Sequence, residues 1–224
     1  MASFAGGALP PDHVIVTALR AGDEAMFAAL LDTWSRGMLR VARSYVSTDD
    51  SAEEVVQDTW LAVIGAIDDF EGRSSVRTWV YRILVNAAKK RGMRESRTLP
   101  WSALESDGGP GVDPSRFHGA DAGLPGSWPG SWPGSWKVPP AAWPTPENQA
   151  LAAEVRGLIA EALAELPPRQ RIVITLRDVE GCTSEEVCDI LDISPANQRV
   201  LLHRARSVVR DRLEGYFRSV MAAE

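Results

Sequence analysis

Cysteine is nearly missing from this chain: two in 224 residues, Cys182 and Cys188. Six positions apart, they fall on different faces of a helix, and no further Cys is present to build a CxxC metal site. They read as two small buried thiols in a reducing cytoplasm. Histidine is scarce as well, at three residues. No apolar run approaches the roughly 20 residues that cross a bilayer, so no membrane insertion is expected. The opening stretch, MASFAGGALPPDH, has neither a basic n-region nor an apolar h-region and does not read as a secretory signal. There is no P-loop, HExxH, nucleophile elbow or ligand cluster, so no catalytic residue, metal or cofactor is expected.

What is present is an ordinary globular composition, 45% hydrophobic and 24% charged, with a net charge of −6. That total argues at first against a nucleic-acid binder, but the charge is segregated. Residues 49–71 hold eight acids (Asp49, Asp50, Glu53, Glu54, Asp58, Asp68, Asp69, Glu71) and no Lys or Arg. Residues 73–97 hold eight bases (Arg73, Arg77, Arg82, Lys89, Lys90, Arg91, Arg94, Arg97) and one acid, Glu95. A charge run alone is usually a solvated face. A change of sign between consecutive segments points instead to two surfaces with two partners.

Helical periodicity occupies both ends of the chain, giving an all-α expectation of two small helical domains joined by a long flexible linker. In the first domain, residues 12–95, Asp23 is placed to cap a helix from Glu24 whose apolar face carries Phe27, Leu30, Leu31 and Trp34. Thr48 to Glu53 supplies acceptors ahead of a second helix, with Asp50 and Glu53 at capping-box spacing. Val56, Trp60, Val63, Ile64 and Ile67 form its expected core stripe. After Glu71-Gly72-Arg73-Ser74, the residues Val76, Trp79, Val80, Ile83, Leu84 and Ala87 mark a third helix. Residues 96–146 lack helical periodicity and are rich in Gly, Pro, Ser and Asp, which marks a boundary. They repeat Pro-Gly-Ser-Trp at 125–128, 129–132 and 133–136, and hold Trp101, Trp128, Trp132, Trp136 and Trp143, five of the eight tryptophans. Linkers are ordinarily poor in aromatics. The segment reads either as a plain tether with an expanded repeat or as a set of Trp anchors for a groove.

The third zone, 147–216, is helical again. Glu147 to Glu165 ends at Leu166-Pro167-Pro168, and Arg169 to Val179 is closed by Glu180-Gly181. Thr183-Ser184-Glu185-Glu186 is a capping box before Val187, Ile190 and Leu191. Asp192-Ile193-Ser194 forms a turn, Ser194 caps the next helix, and Pro195 takes its favoured first position. This is helix-turn-helix spacing, in which the second helix enters the major groove N-terminus first. That helix carries Asn197, Gln198, Arg199, His203, Arg204, Arg206, Arg210 and Arg212 against one acid, Asp211. Asn and Gln can read adenine, and Arg can read guanine or hold phosphate. The plainer reading is a helical hairpin with a solvated basic face, and His203 alone reads as a surface or phosphate-contacting residue.

These residues resemble a known family. Leu166-Pro167-Pro168-Arg169-Gln170-Arg171, Glu180-Gly181, Ser184-x-Glu186-Val187, Leu191-x-Ile193-Ser194 and Arg204-Ala205-Arg206 resemble domain 4 of extracytoplasmic-function (ECF) sigma factors of the sigma-70 family. Gly22-Asp23-Glu24-Ala25-x-Phe27, Glu53-Glu54-Val55-Val56-Gln57-Asp58-Thr59-Trp60 and Phe70-Glu71-Gly72-Arg73-Ser74-Ser75-Val76-Arg77-Thr78-Trp79 resemble their domain 2. The resemblance implies a cytoplasmic transcription initiation factor. Glu53, Glu54, Gln57, Asp58, Trp60 and Leu61 would meet the clamp helices of core RNA polymerase's largest subunit, and the polymerase flap is a further expected partner of the chain. Phe70, Arg73, Ser74, Ser75, Arg77, Trp79, Asn86, Lys89 and Lys90 would engage the −10 element of promoter DNA, around a base flipped into the loop Phe70 to Val76. For Trp79 core packing is the competing role. Ser194, Asn197, Gln198, Arg199, His203, Arg204 and Arg206 would face the −35 element.

The chain departs from the family pattern in three places. Asp192 stands where Gly is usual, Gln198 at a usually apolar position, and Leu201 at a usually basic one. An anti-sigma factor is a possible further partner by the same resemblance. The rival reading is a helix-turn-helix regulator with a helical sensor domain, which would bind duplex DNA without polymerase.

Overall fold

The structure is a computed structural model of the chain and describes residues 9–95 and 149–221. The expected linker, with its repeated tryptophans, lies outside the described residues. Among the described residues every regular element is helical: α1 (Asp12–Arg20), α2 (Glu24–Ala42), α3 (Asp49–Ala66), a 3-10 turn (Ile67–Asp69), α4 (Val76–Glu95), α5 (Gln149–Glu165), α6 (Pro168–Ile174), a π-type turn (Thr175–Val179), α7 (Ser184–Leu191) and α8 (Pro195–Met221). They form two compact units that do not follow chain order. The first takes α1 to α4 together with Thr175–Pro195, and the second takes α5, α6 and the part of α8 after Pro195.

In the first unit the core is built from one stripe per helix. Ile15 of α1, Met26, Leu30, Trp34, Met38 and Val41 of α2, Val55, Val56, Trp60 and Val63 of α3, and Val76, Val80, Tyr81, Leu84 and Val85 of α4 are all buried. Apolar residues three and four apart lie on one face of a helix, and each such face must be covered by a neighbour. Trp60 stacks on Trp34 (6.3 Å between centroids, 8° between planes) and meets Phe27 edge-on (5.4 Å, 87°). Three aromatics from α2 and α3 thus interlock.

The caps explain where the helices begin. Asp23 accepts from the Met26 N–H at 3.0 Å, as its position implied. The start of α3 corrects the expectation: Thr48, not Asp50, is the N-cap, accepting from the Ser51 N–H at 3.1 Å, because Thr48 is the residue still in extended backbone. Ile64, expected in the core stripe, is 53% exposed. With Val56, Trp60, Val63 and Ile67 filling the inward arc, Ile64 falls outside it.

The second unit buries Ala162, Leu166, Ile172, Val173 and Ile174 with Leu201, Leu202, Ala205, Leu213 and Phe217 of α8. Arg212 of α8 lies 3.9 Å from Glu161 and 3.7 Å from Glu165 of α5, at the surface. Helix α8 runs on to Met221.

Candidate polymerase and nucleic-acid interfaces

The acidic segment becomes the outer face of α3. Glu53, Gln57, Leu61 and Ile64 follow helical spacing along that face, with Glu54 and Asp58 beside them, and all are exposed. Leu61 is 68% exposed and Ile64 53%, so the acids border two large uncovered aliphatics. An apolar centre rimmed by charge is the composition of a docking surface. Glu54 is shared with the adjoining helix: its carboxylate meets Arg91 of α4 at 2.5 Å. Trp60 is the exception among the expected contact residues. Its ring is in the core with Phe27 and Trp34, so the exposed face is made without it.

The basic segment becomes the loop 70–75 and helix α4. Phe70 packs its ring on Trp79 at 5.0 Å, both half-buried, which joins the loop's first residue to the first turn of α4. Trp79 is therefore neither fully core nor fully free. Arg73, Asn86 and Lys90 are exposed, while Ser74, Ser75, Arg77 and Lys89 are half-buried. Ser75 caps α4, its hydroxyl accepting from the Thr78 N–H at 3.0 Å.

Part of this face is covered by the segment that follows the π-type turn. The wide turn carries the Glu180 N–H to the Thr175 carbonyl at 2.8 Å, and Gly181, at φ +70°, redirects the chain. Glu180 enters the bundle with its side chain only 7% exposed. Arg40 donates to its Oε1 at 2.8 Å from Nε and 2.7 Å from Nη2. Tyr81 donates to Oε2 at 3.2 Å, and Arg77 lies 3.7 Å from the same oxygen. A Cβ on Gly37 would collide with the Glu180 carboxylate and come within 2.6 Å of the Tyr81 hydroxyl, so the pocket requires glycine there. Burial, followed by the nearby Glu180 charge, pushes the Tyr81 phenol well above its usual range and keeps it a neutral donor.

Glu186 links the same two segments. Its Oε2 accepts from the Thr183 N–H at 2.8 Å while Thr183 accepts from the Glu186 N–H at 3.1 Å, completing the expected capping box of α7. Its Oε1 accepts from the hydroxyls of Ser75 (3.3 Å) and Thr78 (3.2 Å) at the start of α4. Burial works to raise the Glu186 carboxyl, but the Thr183, Thr78 and Ser75 hydrogen bonds outweigh it and hold the group below its usual range.

The turn after α7 has the expected form. Asp192 takes the left-handed conformation (φ 56°, ψ 53°), and its N–H bonds to the Cys188 carbonyl. Asp adopts this backbone more readily than most residues other than Gly. Helix α8 then starts at Pro195. Ser194, Arg199, Arg204 and Arg206 are exposed, and Asn197 and His203 half-buried. Gln198 is a correction: at 1% exposure it sits inside the fold at the place an apolar residue would take, and it offers no edge to a groove. Leu201 and Leu202 are buried likewise, so they share the inward face of α8 with Gln198 while Arg199 lies on the outward one. Burial, then the charges of Arg204 and Arg206, lowers the pKa of His203. Of the two cysteines, Cys182 is buried, its thiol pushed up by burial, while Cys188 is half-buried; neither is in a disulfide.

Asp12, Arg20, Arg40 and Glu180 were not singled out for function in the sequence. Each acts through a partner far along the chain, and only Glu180, in the Glu180-Gly181 helix end, belongs to a motif that the sequence offers.

Comparison with known proteins places these features. Residues 30–98 match the family described as Sigma-70 region 2, and residues 156–208 match Sigma-70, region 4. The chain is 27% identical over 207 residues to the ECF RNA polymerase sigma-E factors of Escherichia coli (strain K12) and Salmonella typhimurium, covering 92% of this chain and 96% of theirs. The sigma-E factor of Haemophilus influenzae is 26% identical over 203 residues, covering 91% and 95%. Among solved structures, CnrH in complex with the cytosolic domain of CnrY aligns with a TM-score of 0.54 at 19% identity, covering 91% of this chain and 97% of that one. RpoE from Bartonella quintana, in complex with the anti-sigma factor NepR, aligns at 0.51 and 22%, covering 84% and 96%. These two show the shared fold. A region 2 bundle followed by a region 4 helix-turn-helix defines a sigma factor, the specificity subunit of bacterial transcription. The chain belongs to the sigma-70 family, in its ECF group, and is a transcription initiation factor that directs core RNA polymerase to promoters.

Proposed function

We propose that the chain works in the cytoplasm, without catalysis, through three stretches: residues 12–95 as sigma domain 2, 96–146 as the linker, and 147–216 as sigma domain 4. Glu53, Glu54, Gln57, Asp58 and Leu61 dock on the clamp helices of the polymerase's largest subunit. The acids meet a basic partner and Leu61, with Ile64, supplies the desolvated centre of the contact. Phe70, Arg73, Ser74 and Ser75 form the loop that receives a flipped −10 base, and Trp79, Arg77, Asn86, Lys89 and Lys90 follow the opening duplex along α4. Unstacking a base costs a few kcal/mol, which the loop must return by enclosing it. Ser194, Asn197, Arg199, His203, Arg204 and Arg206 hold the −35 element, while domain 4 meets the flap. A cognate anti-sigma protein belongs to the same reading.

The observation that carries it is the acid-rimmed pair Leu61 and Ile64 on α3, one helix away from the exposed bases of α4. A duplex-binding regulator has no use for such a face. The test is permanganate footprinting on promoters recovered from a random library. With core polymerase and this chain, thymines in the −10 region should become reactive. Reactivity that needs no core polymerase, or none with it, overturns the assignment.

A further inference from the structure

Helix α1 lies outside both matched family regions, and no role in promoter reading attaches to it above. Yet it touches both ends of the loop 70–75. At the loop's start, Arg20 donates through Nε to the carbonyl of Ile67 (3.2 Å) and through Nη2 to those of Asp68 (3.0 Å) and Phe70 (2.9 Å). The carbonyls of Asp68 and Phe70 follow the end of α3, and that of Ile67 also accepts from the Phe70 N–H at 3.2 Å. At the loop's end, Asp12 Oδ2 accepts from the N–H of Val76, the first residue of α4, at 2.9 Å. That N–H is one of the orphan donors of a helix start, and a carboxylate there also meets the positive end of the helix dipole.

Asp12 and Arg20 are the first and last residues of α1. Eight helical steps separate them by about 12 Å along a stiff rod. Buried Ile15 seats that rod in the bundle. The consequence is geometric: α1 holds both ends of a six-residue loop from outside, in addition to the Phe70–Trp79 ring contact that joins them directly. Ser75 caps α4 from within the loop, but its hydroxyl engages Thr78 and fixes nothing at Phe70.

We infer that α1 is a clasp for the promoter-reading loop, with Arg20 and Asp12 as positioning residues that set the shape of the −10 base pocket without touching DNA. The inference rests on the assignment of loop 70–75 to −10 recognition. A pocket for an extruded base discriminates by fit, so an ångström of play between its ends relaxes base choice before it abolishes binding. Both side chains lie at the surface, so the effect falls on precision more than on folding.

The experiment uses holoenzyme reconstituted from core polymerase and the full chain, transcribing a promoter library randomised at both elements, with transcripts sequenced. Arg20→Met and Asp12→Ala should lower base selection at the −10 positions by about three- to tenfold, the scale of losing charge-assisted hydrogen bonds, and leave −35 selection unchanged. Asp12→Asn should keep wild-type selection, because its amide oxygen still accepts from Val76. Arg20→Lys should fall between, since one ammonium cannot span three carbonyls. A purely structural role gives a different result: Arg20→Met and Asp12→Ala reduce total transcript with −10 selection intact, and that overturns the clasp. If the unaltered chain selects no sequence at all, the promoter-reading assignment fails and takes the clasp with it.

Discussion

The guanidinium of Arg77 donates to the main-chain carbonyl of Glu180 at 2.6 Å, while its Nη2 also lies 3.7 Å from that residue's carboxylate. Arg77 is one of the residues assigned to −10 DNA, so in this conformation an internal acid stands where a phosphate would be met. Glu186 does the same at Ser75 and Thr78. The start of α4, which we propose faces the promoter, is thus covered by carboxylates of the chain's own Thr175–Pro195 segment.

Removing the acid should release that segment. Glu180→Ala leaves Arg40 and Arg77 without their carboxylate, and with Arg40 part-exposed the loss should be about 1–3 kcal/mol of docking energy. Gly37→Ala should act alike by filling the pocket. Cys182 supplies the readout, being buried with a raised pKa. In a Cys188→Ser background, its alkylation should be slow in the parent and roughly tenfold faster or more in either variant. Equal rates would mean the segment is not held by Glu180.

Charge reversal on α3 should separate docking from folding. Glu53→Lys with Asp58→Lys, or Leu61→Asp alone, should weaken core polymerase binding by roughly tenfold or more, with little change in melting temperature because these side chains are exposed. Trp60→Ala should do the reverse, costing about 3–5 kcal/mol of stability through a core cavity. Trp60→Phe should be far milder, since the buried indole N–H has no hydrogen-bond partner among the described residues. Fluorescence anisotropy against core polymerase and thermal melts decide both.

On α8 the split lies between neighbours. Arg199→Ala should reduce −35 binding and its salt dependence. Gln198→Leu should leave −35 sequence preference unchanged, because Gln198 is buried. A changed preference in Gln198→Leu would place that residue in the groove after all.

Acid should unfold the first unit partly through Glu95. Burial would raise its carboxyl, but hydrogen bonds from Ser51, Arg91 and Ser47 lower it to about 2. A depressed carboxylate contributes stability that is present above its ordinary value near 4.5 and is lost as pH falls toward 2. Glu95→Gln should therefore cost about 1–2 kcal/mol at neutral pH, discounted for solvent screening. The difference from the parent should vanish near pH 2. Urea melts at pH 7 and pH 3 measure it; a pH-independent difference would assign the effect to packing.

Local chemistry explains which features were legible. Asp23, the Thr183–Glu186 capping box, the left-handed Asp192 and the start at Pro195 each depend on residues within four of one another, so sequence spacing contains them. The choice of Thr48 over Asp50 turned on one residue's backbone, which spacing does not carry. Trp60 and Ile64 share a helical stripe, and only the neighbouring helices decide which of them is covered. Gln198 is polar by type and core by position. The clasp and the Glu180 pocket were invisible because they join residues 47 to 64 and 99 to 140 positions apart.

Transcription from a randomised promoter library, with and without this chain, tests the central claim most directly. With core polymerase present, the chain should enrich two separated sequence blocks among the transcripts, and Glu53→Lys with Asp58→Lys should abolish the enrichment. No enrichment, or sequence-specific duplex binding that is equally strong without polymerase, would contradict the account.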